Sequence, residues 1–262
     1  MIRRLFLALA LLASGPAAAQ SDLGVVLMYG KQATWSTATG LRDMAATLEK
    51  AGAKVALPEM PWRKGSWESI NVTVGQAHAL IDQEVAKLKA RGAQRIVVGG
   101  HSLGANVALS YAVVRGNLAG VMMAAPGHSP DNWVRFDSGI RAAAMKVKAL
   151  YDAGQRTQSF QGPDINTNER NVISTTVEVY GSWMNPMGRA SMETQAPLLP
   201  ATTPIFVAVS KDESGYSLVK DRIFKPAAKN PYSLYVETVG AHGMVDFAVS
   251  KRATDWILGL PR

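Results

Sequence analysis

Arg95-Ile96-Val97-Val98-Gly99-Gly100-His101-Ser102-Leu103-Gly104-Ala105-Asn106-Val107-Ala108-Leu109 decides the fold. Its first half is a run of apolar β-formers and its second half is helix-forming. Between them lies G-x-S-x-G, with Ser102 at its centre. A serine lifted on so sharp a strand-to-helix turn is held in strained backbone. The residues two before and two after it must therefore be almost without side chain, a demand that Gly100 and Gly104 meet.

Outward from this turn the chain alternates strand-like and helix-like stretches without a shift in composition. Leu23-Gly24-Val25-Val26-Leu27-Met28-Tyr29 is continuously apolar, as in a strand covered on both faces. Further strands are expected at Ala53 to Leu57, Leu118 to Ala124, Thr203 to Ser210 and Tyr232 to Val239. Helical spacing of apolar residues marks Gly40 to Lys50, stopped by Gly52, and Gly75 to Arg91, closed by Gly92. Helices are also expected at 103 to 115 and from Met244 to Leu258. Right-handed crossovers between about six mostly parallel strands predict a doubly wound α/β sheet with its site at the carboxyl ends of the strands. Residues 126–202 break the rhythm. Arg141 to Ala153 looks helical, but Gln155 to Pro200 is rich in Gly, Pro, Asn and Ser, and short helices forming a lid-like insertion are expected.

The 262 residues are 47% hydrophobic and 18% charged, enough for one sizeable core, and residues 20–262 read as one domain. Residues 1–19 read as a signal peptide: Arg3 and Arg4, an apolar run from Leu5 to Leu12, then the A-x-A site Ala17-Ala18-Ala19. Arg3-Arg4-Leu5-Phe6-Leu7 also looks like the core of a twin-arginine signal. The leader predicts a periplasmic or secreted protein without a stable membrane anchor. There is no cysteine, which excludes disulfides and thiolate chemistry. The net charge of +8 comes from bases scattered along the chain, not clustered with aromatics, so no nucleic-acid partner is expected. No phosphate-binding loop, dinucleotide fingerprint or metal-spaced histidine pair occurs, and neither metal nor organic cofactor is expected.

A serine hydroxyl needs a base, and the base needs an acid to orient it. Of the four histidines, His78 lies within an amphipathic helix, and His101, beside Ser102 on the turn, is expected to buttress it. His242, in Val239-Gly240-Ala241-His242-Gly243 after the last strand, is the expected base. Asp212, in Val209-Ser210-Lys211-Asp212-Glu213, is the first choice of acid. Glu213 beside it and Asp131, after an earlier strand, are its rivals.

Gly100-His101-Ser102-Leu103-Gly104, then Asp212, then His242 is the order of serine, acid and histidine found in the α/β-hydrolase superfamily, which the chain resembles over nearly all of residues 22 to 260. The resemblance equates the strand at Leu23 with the family's third, so the first two antiparallel strands are absent. His128 precedes the acid and is excluded as base. Where relatives often carry His-Gly after that strand, this chain has Tyr29-Gly30-Lys31. The backbone N–H of Lys31, with Gln32 as the alternative, and that of Leu103 are the implied oxyanion donors. The implied activity is exported carboxylic-ester hydrolysis of a small molecule through an acyl-enzyme. A peptidase or amidase with the same triad, or a silent hydrolase-fold binding protein, is the alternative. Trp35, Trp62 and Trp67 are candidate substrate-binding walls, and Trp183, Met184 and Met187 a candidate apolar mouth; oligomeric state is not encoded legibly.

Overall fold

The structure, a computed structural model, describes residues 22–167 and 169–262; the signal peptide expected at 1–19 lies outside the described residues. Its centre is a six-stranded sheet of β1 (Leu23–Met28), β2 (Lys54–Ala56), β3 (Arg95–His101), β4 (Gly120–Ala124), β7 (Ile205–Ser210) and β8 (Leu234–Thr238). The spatial order is β2-β1-β3-β4-β7-β8, and every neighbouring pair is parallel. The antiparallel β5 (Ser159–Asn166) and β6 (Glu169–Thr176) form a separate hairpin. Every residue of β1, β4 and β7 is buried, as unbroken apolar runs require in a sheet covered on both faces.

Helix α1 (Thr39–Lys50) packs against the final helix (Val245–Leu258), and α2 (Val74–Ala90) against α3 (Leu103–Arg115). The threonine at 73 starts α2 with a reciprocal capping box to Gln76. Gly52 and Gly92, the expected stops of α1 and α2, have φ of 89° and 88°, backbone that glycine adopts without the clash a Cβ brings.

The strand order reverses at β1, whose neighbours are β2 and β3. That switch point opens a crevice at the carboxyl ends of β1 and β3, in register as Met28↔Gly100. Residues 126–202 lie over it as α4 (Pro130–Phe136), α5 (Ser138–Asp152), the hairpin and α6 (Val177–Met184), followed by shorter turns. The hairpin departs from the short helices expected there. Its first strand alternates outward Ser159 and Gln161 with inward Phe160, Gly162 and Asp164, a period of two hidden because two of the inward residues are a glycine and a carboxylate. Where the insertion meets the domain, Trp62, Trp67 and Trp183 stack edge to face in a wholly buried cluster, with centroids 6.0 Å (Trp62–Trp183) and 5.4 Å (Trp67–Trp183) apart.

Candidate active site

Ser102 ends β3 and opens α3 with φ 54° and ψ −119°, a conformation non-glycine residues rarely adopt. The crossing of β1, β3 and α3 is what enforces it. A side chain at Gly100 would run into the Met28 carbonyl and the Gly104 backbone, and one at Gly104 into the carbonyls of Met28 and Tyr29. Gly127 fills the third side: a Cβ there would stand 2.7 Å from Ser102 Oγ and 3.6 Å from His242 Cε1. Serine and imidazole thus face each other across one small residue. Among the described residues Ser102 Oγ has no hydrogen-bond partner, and it opens with His242 into a cavity of about 540 Å³.

The acid beside His242 is Glu213, whose Oε2 accepts from Nδ1 at 2.7 Å. A carboxylate only accepts, so a proton sits on Nδ1, and in the neutral ring Nε2 carries the free lone pair. Asp212, the expected acid, does not reach the imidazole; its Oδ2 accepts from the Gly240 N–H at 2.7 Å. The correction follows from the turn after β7. Both carboxylates line the cavity there, but that of Asp212 is taken up by the Gly240 backbone, and that of Glu213 meets the imidazole. Ser210 braces the same turn, accepting from the Asp212 N–H at 3.2 Å and donating to the Gly240 carbonyl at 2.6 Å. Asp131, the other rival, holds the insertion instead, accepting from Ser191 Oγ and Glu193 N–H, both at 2.9 Å. Burial raises the pKa of its carboxyl.

His101 donates from Nε2 to the carbonyl of His242 at 2.9 Å, the ring centroids 4.9 Å apart. Burial, and then the neighbouring imidazole, lower its pKa and favour a neutral ring. It therefore props the backbone of the expected base as well as the turn. His128 is buried among Trp67, Trp133 and Trp183 and donates from Nε2 to the Trp183 carbonyl at 3.0 Å. Burial, then the charge of Lys31, pushes its pKa well down.

Gly30 brings the turn after β1 against the serine: a Cβ there would lie 2.9 Å from Ser102 Cβ. Gln32 N–H donates to the Trp62 carbonyl at 2.8 Å, whereas the N–H groups of Lys31 and Leu103 have no hydrogen-bond acceptor among the described residues. The geometry thus favours Lys31 over Gln32 as the first donor: the free N–H of Leu103 follows Ser102 in the chain, and that of Lys31 follows Gly30, which packs against the serine.

The tryptophans fall elsewhere than expected. Trp35, Trp62 and Trp67 are absent from the cavity wall. Trp62 and Trp67 are wholly buried, and their indole N–H groups bond the Tyr29 carbonyl and Asp164 Oδ2, each at 2.8 Å. Trp35 donates to the Pro58 carbonyl at 3.1 Å and stands edge-on to Tyr29. The apolar bulk of Trp62 and Trp67 is drawn into the seam beneath the insertion, and Trp133 of α4 is the tryptophan that lines the cavity. Trp183 and Met184 are core residues too, while Met187 is exposed. The wall also takes Ile165, Asn166 and Thr167 from the hairpin tip, which no motif in the sequence marks. Among the described residues no cluster of three His, Asp or Glu could hold a metal ion, and no helix is long and apolar enough to cross a membrane.

No curated protein matches the sequence. Solved structures match its shape at low identity. A highly thermostable carboxyl esterase from Bacillus coagulans, solved with glycerol, aligns with TM-score 0.62 and 13% identity over 90% of each chain. A monoacylglycerol lipase from Paleococcus ferrophilus gives 0.58 and 18% over 89% of this chain and 94% of its own. Est1E from Butyrivibrio proteoclasticus, solved with ferulic acid, gives 0.59 and 15% over 90% and 88%. These likenesses concern the fold. The sequence model of the alpha/beta hydrolase family matches residues 11–246, nearly the whole chain, and the protein belongs to that family.

Proposed function

We propose that the protein is an exported serine hydrolase that cleaves carboxylic esters of small molecules, with Ser102, His242 and Glu213 as its triad. The observation that carries this is the 2.7 Å bond from His242 Nδ1 to Glu213, made by an imidazole that shares a cavity with Ser102. His242 Nε2 takes the Ser102 proton as Oγ attacks the ester carbonyl carbon. The oxyanion so formed is met by the N–H groups of Lys31 and Leu103; one well-aimed donor of this kind is typically worth about 3 to 4 kcal/mol. His242 then protonates the departing alkoxide. Water, deprotonated by the same nitrogen, attacks the acyl-enzyme, and the acid leaves as Ser102 recovers its proton. The carboxyl esterase and monoacylglycerol lipase among the similar folds favour ester over amide.

The test is hydrolysis of a p-nitrophenyl acyl series against peptide anilides, with fluorophosphonate labelling of Ser102. Ester turnover that falls at least about a thousandfold in Ser102→Ala, with the fold retained, is expected. Turnover of anilides alone would move the protein to the peptidases, and an unlabelled Ser102 would end the hydrolase reading. Export rests on the leader at 1–19, and a mature chain beginning at Gln20 in the periplasm or medium is its expected signature.

A further inference from the structure

Lys31 contributes more than a backbone N–H. Its ammonium is buried together with Asp164 of β5, the two side chains 3% and 0% exposed. Nζ lies 2.8 Å from Asp164 Oδ1, 2.9 Å from Oδ2 and 2.9 Å from the carbonyl of Ile165. An ammonium has three N–H donors, and here the hairpin supplies three acceptors. The indoles of Trp67 and Trp133 flank it, their centroids 4.7 Å and 5.2 Å from Nζ, and Trp67 donates to the same carboxylate. Burial lowers the lysine's pKa, and the Asp164 carboxylate opposes that shift.

An ion pair placed so deep stabilises little, because desolvation offsets its attraction and apolar side chains of the same volume pack at least as well. What it imposes is geometry. Lifting the hairpin would strand a cation between two indoles. The residues that follow Asp164, namely Ile165, Asn166 and Thr167, are the hairpin tip lining the cavity that holds Ser102. Toward its base the hairpin is packed into the core, with Ile173 wholly buried and Phe160 tilted against Tyr180 at 4.8 Å, and is bonded from the Tyr180 hydroxyl to the Pro163 carbonyl at 2.8 Å and from the Thr175 hydroxyl to the Ile70 carbonyl; toward the tip the other tie is the largely exposed Arg170 to Asp137.

We propose that Lys31 and Asp164 are a positioning pair that clamps the hairpin tip over Ser102, tying the oxyanion turn to the roof of the cavity and limiting the size of ester admitted. The proposal rests on the hydrolase reading of Ser102. It is tested on the whole chain with Asp164→Asn and with the double variant Lys31→Met/Asp164→Leu, which removes both charges and restores apolar packing. In each, hydrogen exchange over residues 159–176 is expected to speed about tenfold. The ratio of kcat/KM for p-nitrophenyl octanoate to that for the acetate is expected to rise about tenfold, chiefly through a lower KM for the octanoate. If Asp164→Asn does not fold, the double variant decides alone. Exchange and chain-length ratio both matching wild type, in protein whose Ser102 still takes a fluorophosphonate, would overturn the clamp. A wild-type Ser102 that takes no label would instead remove the hydrolase reading, and exchange alone would then judge whether the pair holds the tip.

Discussion

Glu213 and Asp212 are neighbours with the same charge and opposite duties: one touches the imidazole, the other a backbone N–H of the turn that carries it. Glu213→Gln keeps the shape but lets an amide donate toward Nδ1, which favours the tautomer with its proton on Nε2, where a lone pair is needed. Its kcat on p-nitrophenyl butyrate is expected to fall about 10⁴-fold, by analogy with the aspartate-to-asparagine exchange in a serine protease triad. Asp212→Asn still offers an oxygen to the Gly240 N–H and is expected to lose less than about tenfold. Equal losses, or the larger one at Asp212, would return the acid to position 212. That Ser102 and His242 share one cavity was legible because each sits at a marked transition, one in a glycine-framed turn and the other after the last strand. The choice between 212 and 213 was not, since both follow the same strand and only the direction each side chain takes out of the turn separates them. The three early tryptophans misled for a related reason: a large apolar ring serves a seam as readily as a cavity wall, and sequence does not say which surface lies opposite.

At the scale of elements, the pairing of α1 with the final helix rests on one missing side chain. A Cβ at Gly40 would collide with the backbone of Asp246 and Phe247, so the helices cross as closely as they do only over glycine. Asp246 Oδ2 then accepts from the Leu41 N–H at 3.2 Å, at the start of α1. Gly40→Ala must push the helices apart and loosen that bond, and urea unfolding should show a loss of about 2 to 4 kcal/mol. Gly243→Ala, where an added Cβ meets nothing within 4 Å, should stay within about 0.5 kcal/mol of wild type. Equal effects would mean that the crossing is not glycine-limited. The parallel strands were readable because burial on both faces demands unbroken apolar runs, and glycine stops delimit α1 and α2. The hairpin was not, because its inward positions carry Asp164 and Gly162, and Asp164 is satisfied by Lys31 and Trp67, 133 and 97 residues earlier in the chain.

Across the whole molecule, acid should act on stability through histidines that the fold keeps neutral. His78, wholly buried in α2 and edge-on to Tyr111, has its pKa lowered from 6.5 to about 4, first by burial and then by the charges of Arg189 and Arg115. Between those two values the unfolded chain binds a proton that the folded chain refuses. His78 therefore costs no stability above pH 6.5 and erodes it progressively as the pH falls toward 4. From pH 7 to pH 4.5 this one group should remove roughly 2 to 3 kcal/mol. His128, pushed further down by burial and the Lys31 charge, adds to the same slope. Neither ring nitrogen of His78 has a hydrogen-bond partner among the described residues, so His78→Phe forfeits no bond and should be at least as stable at pH 7. Urea midpoints at pH 7 and pH 4.5 give the comparison. The phenylalanine variant should lose less between the two than the wild type does, because the remaining acid sensitivity comes from His128 and the other groups that titrate there. An identical loss in both proteins would mean that His78 is already protonated in the folded state, and that the α2–α3 interface has room for a charge its packing argues against.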